Sequence, residues 1–229
     1  MRAVCVYTHG GGWLRGSRRV GPGPLSPTSS RWFERAAAQG LAIASVDYRL
    51  SGEARFPAQR DDVDAAFDFL AVSRDRFSLG DAPLVTWGVS AGGQLAALRA
   101  LADPQVTACA LWYAVTDLRT MPAFPVDGGA SREQRVIGGT AQELPELFAE
   151  ASPITHVSAG APSFLILHGD QDSAVPAAQS ATLHETLTAC GASSSFELVE
   201  GYDHLFAGMP DDDVAVLVDR TVSFLLSHA

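Results

Sequence analysis

The stretch that decides the fold runs from residue 84 to residue 97 and reads Leu84-Val85-Thr86-Trp87-Gly88-Val89-Ser90-Ala91-Gly92-Gly93-Gln94-Leu95-Ala96-Ala97. An apolar run typical of a buried strand enters Gly-x-Ser-x-Gly, and small residues typical of a closely packed helix follow. This order places Ser90 on a sharp strand-to-helix turn, where its backbone adopts a sparsely populated conformation. A Cβ at either flanking glycine would collide with the neighbouring strand or helix. The pattern predicts Ser90 as a nucleophile, which requires a base, an acid and an oxyanion hole from the rest of the chain.

The composition is that of a globular protein. A chain of 229 residues suits one α/β domain or two small ones. Hydrophobic residues make up 47% and charged residues 18%, which excludes a disordered chain. The formal charge of −10 argues against nucleic-acid binding, which needs clusters of basic residues. Solubility alone is enough to explain this charge.

Neither the cysteine pattern nor the N-terminal sequence indicates an exported protein. Cys5, Cys109 and Cys190 are an odd number without motif spacing, so no disulfide framework is expected. The first residues lack the longer apolar region and cleavage site of a signal peptide. No apolar run reaches the roughly 18 residues needed to span a bilayer. We therefore expect a soluble, cytoplasmic protein with no membrane partner.

Six predicted strands alternate with helices along the chain. The strands are expected at residues 3–7, 41–46, 84–89, 106–115, 163–167 and 194–199, and the helices at about 30–39, 57–73, 91–102, 142–150, 176–190 and from 210 onward. Ser29 or Ser30 is expected to cap the first of these helices. This alternation predicts an α/β fold with a mostly parallel sheet covered on both faces. Residues 119–152 interrupt it with prolines and paired glycines, and we interpret them as an insertion over the site within a single domain, 1–229.

In a fold of this type, functional residues lie in loops at the carboxyl ends of the strands. Ser90, Asp172, His204 and the glycine loop 10–12 each follow a predicted strand. A serine needs an adjacent base that is itself held by a third group, and in α/β-hydrolases these partners follow in the order serine, acid, histidine. Ser90, Asp172 and His204 obey this order.

His204 is the favoured base because it alone follows the last strand in a glycine-containing loop. The other histidines suit structural roles: His9 in the glycine loop, His168 at a strand end near the core, and His156, His184 and His228 in loops or helices. For the acid, Asp172 is favoured over Asp170, which could orient its loop by accepting backbone N–H groups. Asp203 is adjacent to His204, and neighbouring side chains in an extended loop point apart.

The predicted oxyanion hole combines two backbone segments. The N–H of Ala91 lies at the start of the helix after Ser90, where the helix dipole reinforces it. The loop His9-Gly10-Gly11-Gly12 supplies further N–H groups, because glycines allow the backbone to come close. The chain contains no metal-ligand spacing, dinucleotide fingerprint or P-loop, so no metal and no cofactor is predicted.

Several motifs together resemble the α/β-hydrolase superfamily over nearly the whole chain. They are His9-Gly10-Gly11-Gly12-Trp13, Val46-Asp47-Tyr48-Arg49-Leu50, Phe56-Pro57-Ala58, Trp87 to Ala96, Ala151-Ser152-Pro153-Ile154 and His168-Gly169-Asp170-Gln171-Asp172. More narrowly, the chain is similar to small esterases of the hormone-sensitive-lipase and feruloyl-esterase-like (BD-FAE) type, with kynurenine formamidase as a relative. The resemblance implies a triad of Ser90, Asp172 and His204 and an oxyanion hole built from Gly11, Gly12 and Ala91.

The chain departs from these families at three points. Val89 stands where many lipase-type members carry an acidic residue, and Gln94 stands where the feruloyl-esterase-like branch often has histidine. The strand before the glycine loop starts at Ala3, which leaves no room for the N-terminal strand pair of the family. We therefore expect a three-layer sandwich of about six strands with strand 41–47 at its edge. An open edge invites pairing, so a homodimer or a covering loop is expected there.

The expected activity is hydrolysis of a short-chain or aryl carboxylic ester through an acyl-enzyme on Ser90. An arylformamidase-type amidase, or an acyltransferase or lyase of a biosynthetic pathway, would use the same residues. A non-catalytic small-molecule receptor is a third alternative, although such proteins usually lose a triad member. Specificity would come from loop 14–30 and insertion 119–152, which suggest an open cleft and not a closed acyl tunnel.

Overall fold

A six-stranded parallel sheet forms the centre of the protein in the computed structural model, which describes residues 1–24 and 29–229. The strands are β1 (Ala3–Thr8), β2 (Leu41–Val46), β3 (Leu84–Val89), β4 (Val106–Trp112), β5 (Ser163–Gly169) and β6 (Ser194–Val199). Their order is β2-β1-β3-β4-β5-β6, and every neighbouring pair is parallel. The predicted sheet is thereby confirmed, including strand 41–46 at one edge.

Helices cover both faces of this sheet. They are α1 (Arg31–Ala38), α2 (Ala58–Val72), α3 (Ala91–Ala102), α4 (Arg132–Ile137), α5 (Pro145–Glu150), α6 (Ala178–Ala189) and α7 (Asp211–Ser227). Alternate residues of β1 face opposite sides: Val4 and Val6 belong to the apolar cluster that includes α2, α3 and α6, whereas Cys5 and Tyr7 belong to the cluster that includes α1 and α7. The central strands are buried on both faces and consist of almost continuous apolar residues, whereas the edge strand β6 is only partly buried.

Three local predictions need correction. The insertion contains two helices where one was expected, because Ser131 caps α4 through a reciprocal capping box with Gln134. Strand β4 ends at Trp112 and not at residue 115. Ser30 occupies the N-cap of α1 without a side-chain cap hydrogen bond, and the Ser29 hydroxyl accepts the Gly21 N–H instead.

The carboxyl end of the β2 edge is partly covered by the loop that follows the glycines. The Ser45 hydroxyl donates to the carbonyl oxygen of Arg18 at 2.7 Å. The Arg18 N–H donates to the Asp47 carboxylate at 2.6 Å. The described part of loop 14–30 thus contacts the end of β2 through these two hydrogen bonds, and residues 25–28 of that loop lie outside the described residues. That the edge pairs with a second copy stays a prediction.

The two ends of insertion 119–152 are held side by side. The Ile154 N–H donates to the Thr116 carbonyl oxygen at 3.1 Å, and the Leu118 N–H donates to the Ser152 hydroxyl at 2.9 Å. The Gln179 amide oxygen accepts the Thr116 N–H at 2.9 Å, which ties this junction to α6. The insertion is thus closed at its base by backbone and side-chain hydrogen bonds.

In the described parts of the chain, no helix combines the length and the apolar character needed to cross a membrane.

Candidate active site

Ser90 lies on a strained turn between β3 and α3. Its φ is 53° and its ψ is −125°, a conformation that residues other than glycine rarely adopt. A Cβ at Gly88 would overlap the Gly92 carbonyl oxygen. A Cβ at Gly92 would overlap the carbonyl oxygens of Thr8 and His9. Both glycines are therefore required by close backbone packing, as the sequence pattern predicts.

The structure brings the three predicted site residues together. Ser90 Oγ lies 3.0 Å from His204 Nε2, and His204 Nδ1 lies 2.7 Å from Asp172 Oδ2. Ser90 is 6% exposed, and the Asp172 side chain is fully buried. One imidazole nitrogen thus faces the hydroxyl while the other is held by a carboxylate. This arrangement can remove a proton from the serine and stabilise the resulting imidazolium.

The Asp172 carboxylate is surrounded by donors. Its Oδ1 accepts the N–H groups of Ala174 at 2.9 Å and Val175 at 2.8 Å. Burial by itself raises the pKa of this carboxyl, but the side chains of His168 and His204 and the Val175 N–H outweigh it. Together they hold the pKa of Asp172 well below its usual range. Asp172 is therefore an anion at the pH of any ordinary assay.

His168 also contacts the same carboxylate oxygen of Asp172 as His204, a contact that the sequence pattern does not indicate. Its Nε2 lies 2.9 Å from the Val175 carbonyl oxygen and 3.2 Å from Asp172 Oδ2. Because both neighbours only accept, Nε2 carries the hydrogen, and Nδ1 lies 2.6 Å from the Ser180 hydroxyl. The expected buried, satisfied histidine is confirmed, and it also supports Asp172.

The competing acids occupy other positions. Asp170 accepts the Gly201 N–H at 2.6 Å, which matches its expected role in orienting a loop. Asp203 accepts the N–H groups of Ser173 at 2.7 Å and of His204 at 2.6 Å. Other histidines bond elsewhere: His156 to Glu150, His184 to Ser194 and His228 to Phe224. Of the three acids, it is Asp172 whose carboxylate contacts the His204 imidazole.

The glycine loop lies against Ser90. A Cβ at Gly10 would stand 3.1 Å from the Cβ of Ser90. Gly11 and Gly12 have φ values of +121° and +62°, which glycine adopts without strain. Within the described residues, the N–H groups of Gly11, Gly12 and Ala91 donate to no protein acceptor. They are available donors in the cleft that Ser90 also lines.

Buried polar side chains fix the shape of this loop. His9 Nδ1 lies 2.7 Å from the Gly10 carbonyl oxygen, as expected for a histidine that supports the loop. Burial lowers the pKa of His9. The Trp13 indole N–H donates to the Gln94 amide oxygen at 3.1 Å, and the Gln94 amide donates to the Ala151 carbonyl oxygen at 2.7 Å. Gln94 therefore links the glycine loop to the end of the insertion, and its polarity within the apolar helix α3 was the signal that sequence reasoning overlooked.

A cleft of about 560 Å³ opens over the serine. Its wall includes Leu14 and Arg15 from the loop after the glycines, and Met121, Val126 and Arg132 from the insertion. The two segments predicted to shape specificity thus both line the cleft.

Comparison with known proteins gives consistent results. The BD-FAE family model matches residues 2–187. Esterase LipC from Mycobacterium tuberculosis is 33% identical over 228 residues, covering 86% of this chain and 54% of LipC. The chain spans about half the length of the curated relatives it matches.

Solved structures share the fold. The bifunctional GH43-CE protein of Bacteroides eggerthii superimposes with a TM-score of 0.84 at 24% identity, over 100% of this chain and 34% of that protein. The propionate-bound form of Est2, a thermophilic esterase from Thermogutta terrifontis, gives a TM-score of 0.75 at 25% identity, over 99% of this chain and 83% of that protein.

Proposed function

The chain belongs to the BD-FAE family, within the hormone-sensitive-lipase-like branch of the α/β-hydrolase esterases, and from this premise we propose that it hydrolyses short-chain or aryl carboxylic esters through an acyl-enzyme on Ser90. The observation that carries the proposal is the hydrogen-bond chain from Ser90 Oγ through His204 to Asp172, at 3.0 Å and 2.7 Å. Propionate in the related Est2 supports a short acyl group.

In the first half-reaction, Ser90 Oγ attacks the ester carbonyl carbon while His204 Nε2 takes the hydroxyl proton. The carbonyl π electrons move to the oxygen and give a tetrahedral oxyanion. The Asp172 carboxylate holds the imidazole in the required tautomer and stabilises the imidazolium. Collapse of the intermediate breaks the bond to the leaving alkoxide, which receives the proton from His204.

The oxyanion would be held by the N–H groups of Gly11, Gly12 and Ala91. These groups donate to no acceptor within the described residues and belong to residues that line the same cleft as Ser90. Donors that are already free need not break other hydrogen bonds when charge develops. In the second half-reaction, water takes the place of the serine hydroxyl. His204 removes a proton from the water, hydroxide adds to the acyl carbon, and Ser90 leaves with the proton returned by His204.

The test is hydrolysis of p-nitrophenyl esters with two to twelve acyl carbons, together with a formyl-arylamine. We expect cleavage of the short esters and a loss of at least about 10³-fold in kcat for Ser90→Ala. Wild-type protein that cleaves none of the esters, or a Ser90→Ala variant with full activity, would refute the proposal. Faster turnover of the formyl-arylamine would assign an amidase, and an ester product formed with an added alcohol would assign an acyltransferase.

A further inference from the structure

Four arginines line two neighbouring cavities, Arg15 and Arg132 in the cleft over Ser90, and Arg55 and Arg135 in a second cavity of about 420 Å³. Leu14 belongs to both walls. The second cavity therefore adjoins the cleft, within reach of a substituent on a substrate whose ester group lies at the serine.

Three of these arginines have no anionic partner. In residues 1–24 and 29–229, the guanidinium groups of Arg15, Arg55 and Arg132 lie within 4.0 Å of no carboxylate and donate no hydrogen bond. Other arginines of the same chain are paired. Arg35, for example, holds Asp219 through two hydrogen bonds of 2.6 Å. In the described chain, Arg2, Arg19 and Arg76 also have no carboxylate within 4.0 Å, but they line neither cavity. What distinguishes Arg15, Arg55 and Arg132 is that they are unpaired within a concave wall.

The acidic groups that face the same cavities do not neutralise the positive charge of the four arginines. Glu133 lines the cleft, and its Oε2 accepts the Ser131 hydroxyl at 2.8 Å. Asp127 also lines the cleft, 4.0 Å from the Arg135 guanidinium and with its side chain 89% exposed. In the described chain, the wall of the second cavity contains no acidic residue. The two walls thus hold four cations and two anions, in a chain of net charge −10.

The side chains of two of the arginines pack against the backbone of a glycine. A Cβ at Gly12 would overlap the Arg132 side chain, and a Cβ at Gly138 would overlap the Arg55 side chain. Arg132 is thereby placed directly beside the glycine loop, in the cleft that Ser90 also lines. Taken together, the two walls carry an excess of positive charge, which concentrates ligands of the opposite sign.

We propose that the substrate is an ester carrying an anionic oxyacid group, a carboxylate or a phosphate, which binds the arginines of these two cavities while the ester carbonyl lies at Ser90. This inference rests on the proposed esterase function. A planar guanidinium binds either oxyacid through two parallel hydrogen bonds, which fixes both position and orientation. The recognised group lies away from the scissile bond, so it determines specificity and takes no part in the chemistry.

The first test compares matched anionic and neutral esters. Monoethyl glutarate and monoethyl adipate are measured against their diethyl esters for a carboxylate on the acyl side. For a phosphate on the alcohol side, 1-acetylglycerol 3-phosphate is measured against 1-acetylglycerol. We expect kcat/KM to favour the anionic member of at least one pair by about tenfold or more, and this preference to weaken as salt screens the charges.

Arginine variants test which residues cause the preference. Arg55→Gln and Arg132→Gln are expected to reduce the anionic-to-neutral ratio by about tenfold in at least one case. Arg76→Gln is the matched control, because Arg76 is exposed outside both cavities and is expected to leave the ratio unchanged. A wild-type ratio near one for every pair, or a preference that survives in both cavity variants, overturns the inference.

A binding measurement separates this inference from the esterase proposal. Calorimetry on Ser90→Ala should show tighter binding of monoethyl adipate than of diethyl adipate, and loss of the difference in Ser90→Ala/Arg132→Gln or Ser90→Ala/Arg55→Gln. If wild type hydrolyses no ester but this difference is present, the anion site stands and the esterase function falls. If wild type hydrolyses neutral esters and neither rate nor affinity favours the anion, the esterase stands and the anion site falls.

Discussion

The contact between His168 and Asp172 allows a quantitative prediction. The 3.2 Å separation is longer than the 2.7 Å bond from His204, and the Nε2 hydrogen is shared with the Val175 carbonyl oxygen. Its contribution should therefore lie near the lower end of the range for hydrogen bonds to charged groups, about 1.5 kcal/mol. Replacing His168 by leucine removes this donor and should raise the pKa of Asp172.

The sign of the pH dependence follows from the direction of the shift. Because the pKa of Asp172 is held below its usual range, the stabilisation is complete above the unfolded carboxyl range near pH 4 and is lost as the pH falls further. Because the unfolded carboxyl has the same pKa in both proteins, the difference in unfolding free energy between wild type and His168→Leu is independent of pH until the pH falls through the folded pKa of Asp172. The contact with His204 exists in both proteins and cancels in the difference.

Urea unfolding at a series of pH values measures this difference. Ser180→Ala is the matched control, because it removes the other partner of the imidazole while leaving Nε2 facing Asp172. Titration of the Asp172 carboxyl carbon by NMR measures its pKa, which should be unchanged in Ser180→Ala and higher in His168→Leu. In His168→Gln, which keeps an N–H donor, the pKa should lie nearer the wild-type value. An equal Asp172 pKa in wild type and His168→Leu would show that His168 acts by packing alone and would refute the reasoning.

Three further predictions concern the backbone donors and their supports. In Gly11→Ala, the new Cβ would clash with the Arg15 carbonyl oxygen, at a backbone φ of +121°. The kcat for a p-nitrophenyl ester should therefore fall by about 10²–10³-fold. The control is Gly160→Ala, at an exposed glycine, which should leave kcat unchanged. Gln94→Leu removes the partners of the Trp13 indole and the Ala151 carbonyl, and urea unfolding should show a loss of about 1–3 kcal/mol. Ser131→Ala deletes the cap of α4, and the same measurement should show a loss of about 1 kcal/mol.

Much of the fold follows from local sequence. Buried parallel strands are continuous apolar runs bounded by turn residues, which is why β2 and β3 begin and end at their predicted residues. Helix α4 was not predicted because it is only six residues long. Its identifying feature is the capping pair Ser131 and Gln134. A short helix in a loop-like segment has no apolar period long enough to detect.

The candidate site was predictable to the extent that chain order determines it. The carboxyl ends of parallel strands lie at the same end of the sheet. Ser90, Asp172 and His204 could therefore be assigned to one site from the sequence alone. The supports of the site were not predictable in the same way. His168 reaches Asp172 only because the segment between them folds back on itself, and Gln94 reaches Ala151 across the fold. Such contacts depend on tertiary geometry that no residue pattern encodes.

The closure of the insertion at its base has an evolutionary consequence. Since the hydrogen bonds from Ile154 to Thr116 and from Leu118 to Ser152 bring both ends of the segment to one place, the residues between them can change in length without moving the sheet. Deletions, duplications or grafts in this segment would reshape the cleft wall while Ser90 and its partners keep their positions. Exchanging the segment between these two hydrogen bonds would thus be expected to change substrate preference while the catalytic residues stay in place.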